Sequence, residues 1–336
     1  MKPFARIVTL LAATGIAGAA AAFVTRRRAL AGVPADLRNP MLYLPLSVSS
    51  ERSLQFGRSM MTRPAPLRPG ASSRDVTIAG PGGDLKVVVY ERQGRTGPSP
   101  ALLWIHGGGL IMGTADGDND LCSQLAVELD LVVVSVDYRL APEHPFPAGL
   151  DDCVAALDWL ASAADELGVD RDRLVVGGAS AGGGLAACVA QVAHDRGGPA
   201  LRLQLLVYPM LDDRTPLRAD APASTLVWSP ASNRFAWTQY LGHPPAVRDD
   251  RPYASAARRD DLTGLAPAWI GVGDIDLFHD EDVAYARRLR AAGVPVDLHV
   301  VPGMYHAADF MAAGAASMQD FRRRMLDAVR TAVAPT

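Results

Sequence analysis

The chain has 336 residues, 49% of them apolar and 21% charged, with a formal net charge of -3 at neutral pH. That is ample material for one large buried core with added structure. No basic tract long enough for a nucleic-acid groove occurs, which sets that class of partner aside. Three cysteines, Cys122, Cys153 and Cys188, lack C-x-x-C spacing and have apolar neighbours, so they read as buried thiols rather than a disulfide framework.

The chain is uncharged from Ile7 to Val24, between Lys2 and Arg6 on one side and Arg26, Arg27 and Arg28 on the other. The run is long enough to span a bilayer untilted, and Ala17-Gly18-Ala19 has the small-residue pattern of a cleavage site. A membrane anchor through residues 7–24, a cleaved signal peptide and an apolar helix docked on the domain are its three readings. They leave the protein membrane-associated or cytoplasmic. Residues 34–72 are mixed, with scattered prolines and an amphipathic stretch at 50–61, and read as a connecting or covering segment. Residues 75–78 and 85–90 are β-type runs joined by Gly80-Pro81-Gly82-Gly83, a hairpin.

An alternation then begins. A short apolar strand over 101–105 runs into His106-Gly107-Gly108-Gly109, and a helical pattern follows over 118–129. Unhindered N–H groups at Gly107 and Gly108 can face a carbonyl oxygen as it becomes negative. No Gly-Lys-Ser/Thr and no G-x-G-x-x-G with a downstream acid accompany the loop, so a phosphate cradle is disfavoured, and His106 reads as a loop-orienting residue. Residues 131–136 are almost entirely apolar, as in a strand covered on both faces. A helix is expected over 148–164, a strand over 173–176, a helix over 181–194 and a strand over 201–207. Between the strand over 173–176 and its helix lies Gly178-x-Ser180-x-Gly182, the pattern of a sharp turn that lifts a serine hydroxyl above the sheet. The helix behind it offers free N–H groups, that of Ala181 first, to an oxyanion.

Residues 212–266 break the rhythm, being rich in Pro and polar residues with Trp228, Phe235, Trp237 and Tyr240 embedded. Strands over 268–272 and 296–301 and helices over 280–292 and 317–332 resume it. Strands separated by helices imply right-handed crossovers and a mostly parallel sheet, with the hairpin as an antiparallel edge. A nucleophilic serine needs a base. Of seven histidines, His299 lies within the last strand, whereas His306 follows it after Pro302-Gly303 and is the expected base. Asp274, Asp276 and Asp280 occupy the loop after 268–272. Asp280 is expected to serve the first turn of the next helix, and position favours Asp276 as the orienting acid, with Asp274 left open.

Three stretches, His106-Gly-Gly-Gly109, Asp137-Tyr-Arg-Leu-Ala-Pro-Glu-His-Pro-Phe-Pro-Ala148 and Ser180-Ala-Gly-Gly183, together resemble the hormone-sensitive-lipase-like family of microbial carboxylesterases within the α/β-hydrolases. The resemblance runs from about residue 87 to the C-terminus. Asp276-Leu-Phe-His-Asp280-Glu281 is similar to the family's acid motif, which selects Asp276. It implies an α/β-hydrolase core of mostly parallel sheet flanked by helices, over 73–211 and 267–336. It also implies a helical cap from 34–72 and the insertion 212–266, with 1–33 as a separate apolar segment. It further implies a Ser180-His306-Asp276 triad, an oxyanion hole of Gly107, Gly108 and Ala181, and a pocket wall among Trp228, Phe235, Trp237 and Tyr240, against plain packing for those aromatics. The expected substrates are small esters of short to medium acyl chains, hydrolysed by water with no metal or organic cofactor. Two departures stand out: the family places an acid where Ala179 stands, and a glycine where Ala307 follows His306. A non-catalytic binding homologue, an amide or lactone hydrolase and a membrane-held lipase are the competing readings.

Overall fold

A computed structural model of the chain describes residues 30–43, 47–60, 65–218 and 226–335. The apolar run at 7–24, with its anchor and signal-peptide readings, lies outside the described residues. Among the described residues no helix is long and apolar enough to cross a membrane.

One eight-stranded sheet organises the molecule. β1 (Ala71–Gly80) and β2 (Gly83–Arg92) form the expected hairpin, turning at Pro81-Gly82, and β2 pairs antiparallel with β4 (Val132–Val136). β3 (Ser99–Ile105), β5 (Val169–Ala179), β6 (Leu201–Val207), β7 (Ala268–Gly273) and β8 (Val296–Val301) complete the order β1-β2-β4-β3-β5-β6-β7-β8, and every pairing from β4 onward is parallel. The long helices cover both faces. Side chains alternate across the strands, so Leu103, Ile105, Val134 and Val176 enter one core while Leu102, Trp104, Val133 and Val175 enter the other. The first core also takes the helix Ala148–Ser162 and the helix after β5, Ala181–Arg196. The second takes Asn119–Leu129, Ala316–Ala332 and the chain from Leu30 to Leu42. Cys122, Cys153 and Cys188 are buried and unpaired.

β1 and β5 are longer than their apolar runs predict. β5 begins pairing at Val169, across a register shift from Ser99, and Asp170, Arg171 and Asp172 carry it at least partly in water. Charged residues at a sheet's periphery satisfy the ladder as well as apolar ones do, and composition there resembles a loop.

Two segments lie over the carboxyl ends of the parallel strands. The first carries the helix α1 (Glu51–Met60), whose Arg58 donates to the carbonyls of Ile111 and Ala141 and pairs with Glu143 at 2.6 Å. The second, between β6 and β7, carries the helix Pro230–Leu241. It is capped by Ser229, which accepts from the Ser232 N–H, starts on a proline and ends at Gly242 in the left-handed region. Ser232 Oγ accepts the Val48 N–H at 3.0 Å and ties the two segments together.

Candidate active site

In an open parallel sheet, side chains gather for chemistry outside the carboxyl ends of the strands. Here β3 runs into Gly107, β5 into Ser180, β7 into the loop holding Asp276 and β8 into the loop holding His306. Ser180 has φ 56° and ψ -119°, a conformation costly for any residue with a side chain. The Val207 carbonyl accepts its N–H at 2.9 Å, and its own carbonyl accepts from Gly184 and Met210. The turn closes so tightly that a Cβ at Gly178 would lie 2.4 Å from Gly182, and one at Gly182 would lie 1.9 Å from the Ile105 oxygen. Only glycine fits either position.

His306 Nε2 lies 2.9 Å from Ser180 Oγ, and His306 Nδ1 lies 2.9 Å from Asp276 Oδ2. Asp276 Oδ1 accepts the Phe278 N–H at 3.0 Å, which leaves Oδ2 for the imidazole. All three residues are buried. Tyr208 and Phe278 pack edge-on against the imidazole, with centroids at 4.9 and 5.2 Å. Asp274 is turned elsewhere: its Oδ1 accepts the Gly303 N–H at 2.6 Å. Asp280 sits in the first helical turn and pairs with Arg218 and His279, and His299 stays within β8, 6.0 Å from Phe321. The arrangement brings a hydroxyl, an imidazole and a carboxylate into one line.

Gly107 runs beside Ser180, since a Cβ on it would meet Ser180 Cβ at 3.5 Å. Among the described residues no acceptor takes the N–H of Gly107 or Gly108, and Ala181 is the first residue of its helix, whose N–H has no partner within the helix. His106 serves the loop. Its Nδ1–H donates to the Gly107 carbonyl at 2.8 Å, its ring stacks on Tyr138 at 4.3 Å, and burial lowers its pKa, so it stays neutral.

The four aromatics of the insertion separate. Trp228 lies on the glycine loop, where a Cβ on Gly109 would come within 2.3 Å of its indole. Trp237 and Tyr240 join Leu110, Ala181, Leu185 and Met210 around a small cavity of about 10 Å³, room for one water molecule or methyl group. Phe235 is half-buried against the first core, outside that cavity.

Residues without a role in the sequence reading also support the site. Glu281, buried in the helix His279–Ala291, accepts from the N–H groups of Leu211 and Asp212 and from Thr215 Oγ1, fixing the chain that leaves β6. It belongs to the acid motif, but nothing in the spacing announces those partners. Asp282 beside it is fully buried, and among the described residues neither of its carboxyl oxygens has a hydrogen-bond partner. Burial first, then the neighbouring Glu281 and Asp276, push its pKa well above the usual carboxylate range. A raised folded-state pKa contributes stability that is complete below the unfolded value, about 3.9, and is lost as pH rises toward the folded one. Asp282→Asn is therefore expected to gain on the parent as pH rises from about 5 to 8, reaching at least about 1 kcal/mol in urea unfolding. A gain that does not vary with pH would show that Asp282 does not titrate in this way.

Residues 102–310 match the family described as alpha/beta hydrolase fold. The chain is 40% identical over 251 residues to the esterase LipI of Mycobacterium tuberculosis, covering 72% of this chain and 76% of that protein. It is 40% identical over 223 residues to the ethyl acetate hydrolase of Pseudomonas putida, covering 64% of this chain and 67% of that protein. Among solved structures, a bacterial heroin esterase superposes with a TM-score of 0.84 at 35% identity, covering 91% of this chain and 99% of the other.

Proposed function

Because the chain belongs to the hormone-sensitive-lipase-like carboxylesterases of the α/β-hydrolase fold, and so is a carboxylesterase-like hydrolase, we propose that it cleaves esters of short acyl chains through an acyl-enzyme on Ser180. One observation carries the reading: the pair of 2.9 Å contacts that links Asp276, His306 and Ser180 at the strained turn.

His306 takes the Ser180 proton through Nε2 as Oγ attacks the ester carbonyl. Asp276 holds the Nδ1–H and stabilises the imidazolium. The carbonyl oxygen, now negative, accepts from the N–H groups of Gly107, Gly108 and Ala181, and each such donor typically supplies roughly 2.7–4 kcal/mol of barrier lowering. The imidazolium gives its proton to the departing alcohol. Water then repeats the sequence on the acyl-enzyme, and the carboxylic acid leaves. In this reading residues 73–211 and 267–336 are the catalytic core, and 34–72 with 212–266 are its cap.

The small cavity beside Ala181 supports a short acyl group. Its walls, Trp237 and Tyr240 among them, leave room for little beyond a methyl, and an extra methylene in a tight apolar pocket is worth about 1–3 kcal/mol of discrimination. With p-nitrophenyl esters, kcat/KM should peak at acetate or propionate and fall about tenfold or more by hexanoate. Trp237→Leu should move the peak toward the longer chain. A flat profile, or a peak at long chains, would remove this cavity as the acyl site. No turnover of any ester, together with no labelling by a fluorophosphonate, would sink the hydrolase reading itself.

A further inference from the structure

His306 rides on the connection from β8 to the last helix, residues 302–315. From the core side this loop is held by Asp274, which accepts the Gly303 N–H, and by Asp276. From the other side it is held by the chain's N-terminal end. The ring of Pro34 lies against Gly303, so closely that a Cβ there would come 2.3 Å from Pro34 Cδ. Tyr305 Oη donates to the Leu37 carbonyl at 3.0 Å, and Asn39 Nδ2 donates to the Met311 carbonyl at 2.9 Å. These contacts fall three residues before His306, one before it and five after it.

The segment making them is anchored in its own right. Leu30, Val33, Leu37 and Leu42 are no more than 3% exposed and share a core with Met304, Tyr305 and Ala308. Arg38 Nε donates to the Val33 carbonyl and closes the segment on itself. The loop has need of such support. Ala307, next to the histidine, sits at φ 59°, where a residue with a side chain is disfavoured by roughly 1–2 kcal/mol. Strained backbone persists only where its surroundings over-determine it, and a displacement of about 1 Å at a reacting group can cost about a hundredfold in rate.

We propose that residues 30–42 act as a positioning brace for His306, setting the imidazole against Ser180 rather than binding substrate. The inference rests on His306 being the general base. It places functional weight on part of the chain before Pro34, which belongs with the catalytic core and not with a dispensable leader.

The test compares the full chain with forms beginning at Leu30 and at Asn39, with the Tyr305→Phe/Asn39→Ala double variant, and with His306→Ala. Each is measured for kcat, KM and thermal unfolding. Starting at Leu30 should leave kcat within about threefold of the full chain, whereas starting at Asn39 should lower it by about thirtyfold or more with KM little changed. The double variant, which removes two hydrogen bonds and little packing, should lower kcat about five- to tenfold. Its KM should stay within about twofold, so that the loss falls on kcat, as it must when the base is displaced and substrate binding is untouched. If the form starting at Asn39 does not fold, the double variant decides. A folded double variant with unchanged kcat, or with only KM raised, overturns the brace. An active His306→Ala overturns instead the reading of His306 as base.

Discussion

Ser180→Ala is expected to lower kcat on a short-chain ester by about 10⁵- to 10⁶-fold, roughly 7–8 kcal/mol of barrier, while leaving the fold intact. The size follows from what the serine does. Without Oγ there is no covalent step, and what remains is solvent attack on a carbonyl still polarised by the N–H groups of the glycine loop. The more informative part of the experiment is the comparison with His306→Ala. A hydroxyl with no base 2.9 Å away is a poor nucleophile at neutral pH, so loss of either partner removes the same step. The two single variants should therefore fall to similar residual rates, and the double variant should be no slower than the worse of them. Active-site titration with a fluorophosphonate, run beside the rate assay, separates residual chemistry from traces of contaminating esterase. Additive losses, with the double variant far below both singles, would mean that Ser180 and His306 do not act as a unit.

The second large effect is expected at Asp276. Phe278 N–H donates to Oδ1, so an asparagine placed there keeps its amide oxygen on that donor and turns its NH₂ toward His306 Nδ1. The imidazole must then accept at Nδ1 and carry its proton on Nε2, where it cannot take another from Ser180. Asp276→Asn should accordingly cost about 10⁴ in kcat through the wrong tautomer, with little change in KM or stability. Asp274→Asn is the matched control. An amide oxygen can still accept the Gly303 N–H, and a loss within about threefold is expected. If Asp274→Asn were the damaging change and Asp276→Asn the silent one, the assignment of the acid would be reversed.

How much of this was legible before the structure depended on the range of the interactions. The central strands announce themselves because both their faces are covered, so 101–105 and 131–136 carry almost unbroken apolar runs. The turn at Ser180 was legible because close packing at Gly178 and Gly182 excludes every other residue. Between Asp274 and Asp276 position only leaned toward the second and the resemblance chose it: both lie in one loop, and the direction of each side chain, one to Gly303 and one to His306, separates them. The early chain was harder still. Pro34, Leu37 and Asn39 look like connector, because their partners lie some 270 positions away and no periodicity encodes a contact of that separation. Ala307 shows the reverse case. The resemblance marked it as a departure from glycine, and the backbone supplies the reason, since the position lies in the left-handed region.

The three unpaired cysteines turn the fold into its own reporter. Cys122 lies in one core, and Cys153 and Cys188 in the other. Burial raises all three thiols, that of Cys188 to about 12, so almost no thiolate exists at neutral pH. An alkylating reagent can then react only through molecules in which a helix has lifted from the sheet. The rate at which each cysteine is modified measures how often its own side of the sheet opens, one side independently of the other, without any foreign label.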